Sequence, residues 1–129
     1  MIGEDKTKPV RVMLIEDHPD FRELMEALFS MDSGIKLVAQ AGSLAEARSH
    51  VARIECDVAV LDLGLPDGNG VDLIADLRRA NTGVRVLILS ASLDAVSFKR
   101  ATEAGAHEIM DKLAPLEEVL GSIRRLGNT

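Results

Sequence analysis

Residues 58–66 read VAVLDLGLP: four consecutive apolar positions from Val58 to Leu61, then Asp62, then Leu-Gly-Leu-Pro. A strand with one wet face alternates apolar and polar residues, whereas an unbroken apolar run is what a strand covered on both faces presents. The stretch therefore predicts an interior strand of a parallel sheet, closed by a turn that contains Pro66. Asp62 is the anomaly, because an ionised carboxylate buried without a partner is costly. It is expected at the open end of the strand, unburied and among groups that compensate its charge.

Working outward, similar runs occur at VRVMLIE (10–16) and VRVLILS (84–90) and read as further interior strands. IKLVAQ (35–40) and HEIMDK (107–112) mix in charged and polar residues and read as the two edges. Helical patterns lie between the strands. Phe21, Leu24, Met25, Leu28 and Phe29 fall on one helical face, with Pro19 in the first turn. Ser43 and Glu46 make a capping box for a helix to about residue 54. Others are expected over about 71–80, over about 93–103 before Gly105, and after Pro115, where Leu116, Val119, Leu120, Ile123 and Leu126 form the stripe.

Strict alternation of strand and helix calls for a parallel sheet with right-handed crossovers. With the polar strands at its edges, the order is flavodoxin-like, 2-1-3-4-5, in a doubly wound (βα)5 α/β fold. Such sheets bind ligands at the carboxyl ends of the strands, near the switch point between the first and third. The residues at those ends are Glu16, Asp17, Asp62, Ser90 and Lys112.

Composition narrows the function. The chain has 129 residues, 47% hydrophobic and 28% charged, the balance of one ordinary globular domain. Its net charge of −6 and pI near 5.0 argue against gripping a nucleic-acid backbone directly. The single cysteine, Cys56, excludes an internal disulfide and reads as a small, partly buried hydrophobe. No apolar run approaches the ~18 residues of a membrane span, and MIGEDKTKP lacks the core of a signal peptide. A cytoplasmic location without membrane contact is expected. The layout is a flexible tail over 1–9, one domain over 10–126, and a tail or the start of a linker over 127–129.

Glu16, Asp17 and Asp62 gathered at one end of a sheet would repel one another unless a cation sat among them. Oxygen ligands with room for water suit Mg²⁺, with Mn²⁺ as a substitute. Lys112 adds a positive charge and Ser90 a hydroxyl donor. Together these groups are equipment for phosphoryl transfer to a carboxylate, with Asp62 as the nucleophile. His18 reads as a residue opening the first helix, His50 and His107 as solvated, and Asp67, Gly68 and Asn69 as turn chemistry.

Over residues 10–126 the chain resembles the receiver domains of two-component response regulators. The acidic pair Glu16-Asp17, Asp62, the turn Leu65-Pro66 with Gly70, Ser90-Ala91, Gly105-Ala106 and Lys112 all match that family's motifs. The wording EDHPD, DLGLPDGNG and EAGAHEIMDK is most similar to receivers of the NarL/LuxR type. The resemblance implies that Asp62 takes phosphate from a sensor histidine kinase. It implies metal ligation by Asp17, Asp62, Glu16 through water and the Gly64 backbone carbonyl, and a switch through Ser90 that alters the surface of helix 4, strand 5 and helix 5. It also implies slow self-dephosphorylation at most, not enzymatic turnover, a DNA-binding output domain outside this chain that regulates transcription, and homodimerisation on phosphorylation. Ile109 stands where the family usually carries an aromatic, Leu113 where many members have proline, and Gly64 and Ser92 leave the reaction centre open. A haloacid-dehalogenase-like phosphohydrolase would carry a second Asp two residues after the nucleophile, where this chain has Gly64.

Overall fold

The computed structural model describes residues 8–128, so most of the expected N-terminal tail lies outside the described residues. Five strands, β1 (Val10–Ile15), β2 (Ile35–Ala41), β3 (Val58–Leu61), β4 (Arg85–Ser90) and β5 (Glu108–Asp111), form one sheet. Its order is β2-β1-β3-β4-β5, and every pairing is parallel, as the placement of polar strands at the edges predicts. Five helices connect and follow the strands: α1 (Pro19–Ser30), α2 (Leu44–Val51), α3 (Val71–Ala80), α4 (Ala95–Ala104) and α5 (Leu116–Gly127).

The apolar runs are unbroken because the pleat sends alternate residues into two separate cores. Val12, Leu14, Val58, Val60, Leu87 and Leu89 join Met25 and Phe29 of α1 and Val119 and Ile123 of α5. Met13, Ile15, Ala59, Leu61, Val86 and Ile88 join Leu44 of α2, Leu73, Ile74 and Leu77 of α3, and Ala101 of α4. Carried to the strand ends, this parity assigns Glu16, Asp62 and Lys112 to the α1–α5 side. Ser90 and Ile109 fall on the other side, where Ile109 packs against the α2–α3–α4 core.

Several local details depart from the sequence expectation. Leu24 is 44% exposed, since α1 buries only the narrower stripe of Met25 and Phe29. α2 ends at Val51, after which the amides of Arg53 and Ile54 both turn back to the His50 carbonyl. α4 begins two residues later than expected because Asp94, whose carboxylate accepts the Ser97 amide at 2.7 Å, is its N-cap. α5 continues through Gly127, one residue past the expected boundary. Cys56 is fully rather than partly buried, and burial pushes its thiol pKa up to about 11, so it is an inert packing residue.

His50 is partly buried rather than solvated, whereas His107 is exposed as expected, and both rings have a backbone partner. His50 Nε2 lies 3.1 Å from the Gln40 carbonyl, while His107 Nδ1 accepts the Val86 amide at 3.0 Å.

Candidate functional site

The segment after β3 folds back as a small antiparallel ribbon, Gly64–Leu65 against Gly68–Asn69, before α3 begins. Two contacts fix it. A Cβ on Gly70 would lie 2.3 Å from the Asp62 carbonyl oxygen, so only glycine permits the chain to pass so close behind the acidic residue. Asp67, read above as turn chemistry, accepts the amides of Leu44 at 2.7 Å and Ala45 at 3.0 Å, capping α2 from across the fold. The loop carrying Asp62 is thereby tied to a neighbouring helix.

Asp62 itself is 6% exposed, which corrects the expectation that it lies in the open. Its compensation is local. Oδ2 lies 3.0 Å from the Lys112 ammonium and Oδ1 accepts the Gly64 amide at 3.2 Å. Lys112 arrives because β5 pairs with β4 up to Ser90–Asp111, and its own amide then donates to the Ser90 carbonyl at 3.1 Å. The same ammonium sits 2.7 Å from Glu16 Oε1, and Glu16 is buried at 1% exposure. Glu16 Oε2 accepts the His18 amide and faces His18 Nδ1, both at 3.0 Å. The ring of Phe21, in the first turn of α1, lies 4.9 Å from the Lys112 nitrogen, a cation–π distance.

One ammonium between two buried carboxylates divides their behaviour. Burial pushes the Glu16 carboxyl upward, but hydrogen bonds from Lys112 and His18 outweigh it, and its pKa falls below the ordinary value. Burial raises Asp62, and the charge of Glu16 adds to that rise beyond what Lys112 offsets. Burial works against the Lys112 charge too, yet its bonds to Glu16 and Asp62 hold its pKa above normal. The cluster therefore carries unbalanced negative charge when its acids are ionised, and Asp17 adds a further carboxylate beside it. Asp17 Oδ1 is buried without a hydrogen-bond partner, although His18 Nδ1 lies 3.4 Å away. A buried, unpartnered carboxylate oxygen beside two more acids fits a divalent cation, and Glu16, Asp17, His18 and Asp62 each offer an atom within 4.8 Å of the others.

Ser90 is buried at 4% exposure at the end of β4, and its Oγ accepts the Ser92 amide at 3.3 Å. Ile109 pairs with Ile88 in the β4–β5 register, below the site on the α4 side. The sequence thus places Glu16, Asp17, Asp62, Ser90 and Lys112 at one end of the sheet, and the structure brings them together there. It missed Phe21, whose place on the α1 stripe marks it only as core, and the bonds from His18 to Glu16, although their spacing of two residues is short enough for local hydrogen bonding.

The response regulator receiver domain family matches residues 12–124. The chain is 36% identical over 118 residues to the DNA-binding transcriptional activator DevR/DosR of Mycobacterium tuberculosis, covering 92% of this chain and 54% of that protein. It is 33% identical to the nitrate/nitrite response regulator protein NarP of Escherichia coli, covering 90% of this chain and 54% of NarP. The chain thus spans about half the length of these relatives. Among solved structures, the receiver domain of the putative response regulator NarL from Mycobacterium tuberculosis superposes with a TM-score of 0.83 at 27% identity, covering 94% of this chain and 98% of that one. A LuxR-family two-component response regulator from Aurantimonas sp. SI85-9A1 gives 0.85 at 28% identity, covering 94% and 86%. The chain belongs to the response regulator receiver domain family.

Proposed function

We propose that Asp62 is the phosphoacceptor of this receiver and takes its phosphoryl group from a phosphohistidine on a sensor histidine kinase. The observation that carries the reading is the buried Asp62–Lys112–Glu16 bridge with an unpartnered Asp17 oxygen beside it. An Asp62 carboxylate oxygen forms the new bond to phosphorus, and the electrons of the breaking P–N bond return to the imidazole of the kinase. Lys112, held by Glu16 and Phe21, neutralises charge on the phosphoryl oxygens as its contact with Asp62 is given up. Mg²⁺, or Mn²⁺ in its place, would be held by Asp17, Asp62, the Gly64 carbonyl and, through water, Glu16, and would supply further neutralisation of the transferring group.

In this reading Ser90, at the end of β4, donates its hydroxyl to the bound phosphoryl group, the step by which the site reports to the α4 side. Gly64 and the exposed Ser92 bring no acid or base to the reaction centre, so loss of phosphate to water is slow and the chain works as a switch rather than a turnover enzyme. A relative named as a DNA-binding transcriptional activator supports a DNA-binding output domain beyond this chain, and dimerisation on phosphorylation is part of the same proposal. A cytoplasmic setting suits a kinase-fed switch, and no helix among the described residues is long and apolar enough to cross a membrane.

Intact mass after incubation with acetyl phosphate and Mg²⁺ tests the assignment. The wild type should gain one phosphoryl group and Asp62→Asn none, with the Asn variant still folded. Full labelling of Asp62→Asn would show that another residue is the acceptor.

A further inference from the structure

The acidic pocket holds one donor that an all-oxygen magnesium site lacks. His18 Nδ1 lies 3.0 Å from Glu16 Oε2 and 3.4 Å from Asp17 Oδ1. Ligands at right angles on an ion with bonds of about 2.1 Å stand about 3 Å apart, and opposed ligands about 4.2 Å apart. The four donors lie within 4.8 Å of one another, somewhat wider than one such sphere, so the exposed His18 ring would close in on a bound cation. The oxygens are also divided between two cationic or nitrogenous neighbours. Lys112 takes Glu16 Oε1 and Asp62 Oδ2, whereas the imidazole faces Glu16 Oε2 beside the unpartnered Asp17 Oδ1.

His18 is both anchored and free to turn. Its backbone amide is bound to Glu16 Oε2 at 3.0 Å and its carbonyl accepts the Arg22 amide at 3.0 Å, which fixes the residue at the mouth of the pocket as α1 begins. Its side chain is 67% exposed, so a change of tautomer that points the Nδ1 lone pair at a cation disturbs no packing. Imidazole is a poor ligand for Mg²⁺ but a good one for the divalent first-row transition ions.

Resting on the reading that this pocket holds a divalent cation, we propose that His18 Nδ1 is a direct ligand and gives the site a preference for imidazole-accepting transition ions over Mg²⁺. The test uses the full chain with metal alone. Pulsed EPR of bound Mn²⁺ reads the coupling to imidazole nitrogen, and calorimetric titration gives the Kd for Zn²⁺ and for Mg²⁺ in the wild type, His18→Gln and Asp17→Ala. The nitrogen coupling should be present in the wild type and absent in His18→Gln. That variant should weaken Zn²⁺ about tenfold or more while Mg²⁺ changes by less than about twofold. Bound Mn²⁺ without nitrogen coupling, or equal losses for Zn²⁺ and Mg²⁺, would overturn His18 as a ligand and leave the phosphoacceptor reading standing. Coupling that persists in His18→Gln would place the nitrogen on another group and overturn it equally. A chain that binds none of these ions and takes no label at Asp62 would overturn both readings.

Discussion

On the α1–α5 side of the sheet Met25, Phe29, Val119 and Ile123 are each 2% exposed or less, whereas α4 on the opposite side buries only Ala101 and leaves Val96 at 68% and Phe98 at 50%. Burial of a large apolar side chain stabilises by roughly 1.5–3 kcal/mol, and an alanine contributes far less. Polar ties follow the same division. α5 is joined to the rest of the fold by Arg124 to Asp32 and by Ser122 and Arg125 to Glu108. The one ion pair within α4, Lys99 to Glu103 at 3.9 Å, is exposed and worth little. Glu16, Asp62 and Lys112 belong by strand parity to the α1–α5 side, Ser90 and Ile109 to the side where α2 and α3 are well buried and α4 alone is loosely held. The acceptor chemistry is therefore held where the molecule is rigid. Any response to it is cheapest where α4 can shift, because local opening costs least where few apolar contacts are lost.

The largest effects should separate the two sides directly. Phe29→Ala empties a fully packed position and should cost about 3–5 kcal/mol in urea unfolding. Phe98→Ala removes the same atoms from a half-exposed place on α4 and should stay within about 0.5 kcal/mol. Comparable losses for the two would show that α4 is as firmly held as α1, and the contrast would fall.

Next in size is Lys112→Ala. Removing one partner of a buried charge pair leaves the others uncompensated, a loss of about 3 kcal/mol near neutral pH. Glu16 and Asp62 would then face each other without the ammonium, so both would protonate more readily when folded than unfolded. The variant should recover stability as pH falls through their raised folded values. It should also recover when Mg²⁺ is added, if that ion occupies the pocket as proposed. A loss that is flat with pH would mean that Lys112 acts through its packing against Phe21 rather than through charge.

What could be read in advance followed from period and position. Apolar runs such as VAVL gave the strands and their parity, and the strand ends gave the acidic residues and Lys112. The depth of Asp62 was not readable, because the sequence marks a strand end but not that Lys112, 50 residues away, covers it. Asp67 is similar: its partners Leu44 and Ala45 lie 23 and 22 residues earlier, and no local pattern joins a turn aspartate to another helix's first amides. Ile109 was visible as a residue without a ring. That it packs against the α2–α3–α4 core became clear only from the residues it joins.

The smallest expected effect sharpens the comparison at the start of β5, the strand that follows α4. His107 and Val86 are joined twice: the His107 amide donates to the Val86 carbonyl at 2.9 Å, and the Val86 amide donates to His107 Nδ1 at 3.0 Å. The ring thus stands in for a backbone acceptor just before the regular β4–β5 ladder begins at Leu87 and Glu108. An Nδ1 that accepts a hydrogen bond cannot carry a proton, so the fold requires neutral His107. Burial, with the charges of Arg85 and Arg78, lowers its pKa from the ordinary value near 6.5. The unfolded chain then binds the proton more readily than the folded one. This contribution is fully present above the unfolded value and is lost as pH falls from there through the lowered folded value. Urea midpoints at several pH values should show a small decline that begins near pH 6.5, above the carboxylate range. In His107→Asn the amide oxygen can accept the same bond without titrating, so that early decline should vanish while the acid transition of the carboxylates remains. An identical decline in both proteins would place the titrating group elsewhere. Amide exchange of Val86 and of α4 in the wild type supplies the finer reading: if lowering the pH speeds both together, the β4–β5 end and α4 open as one cooperative unit.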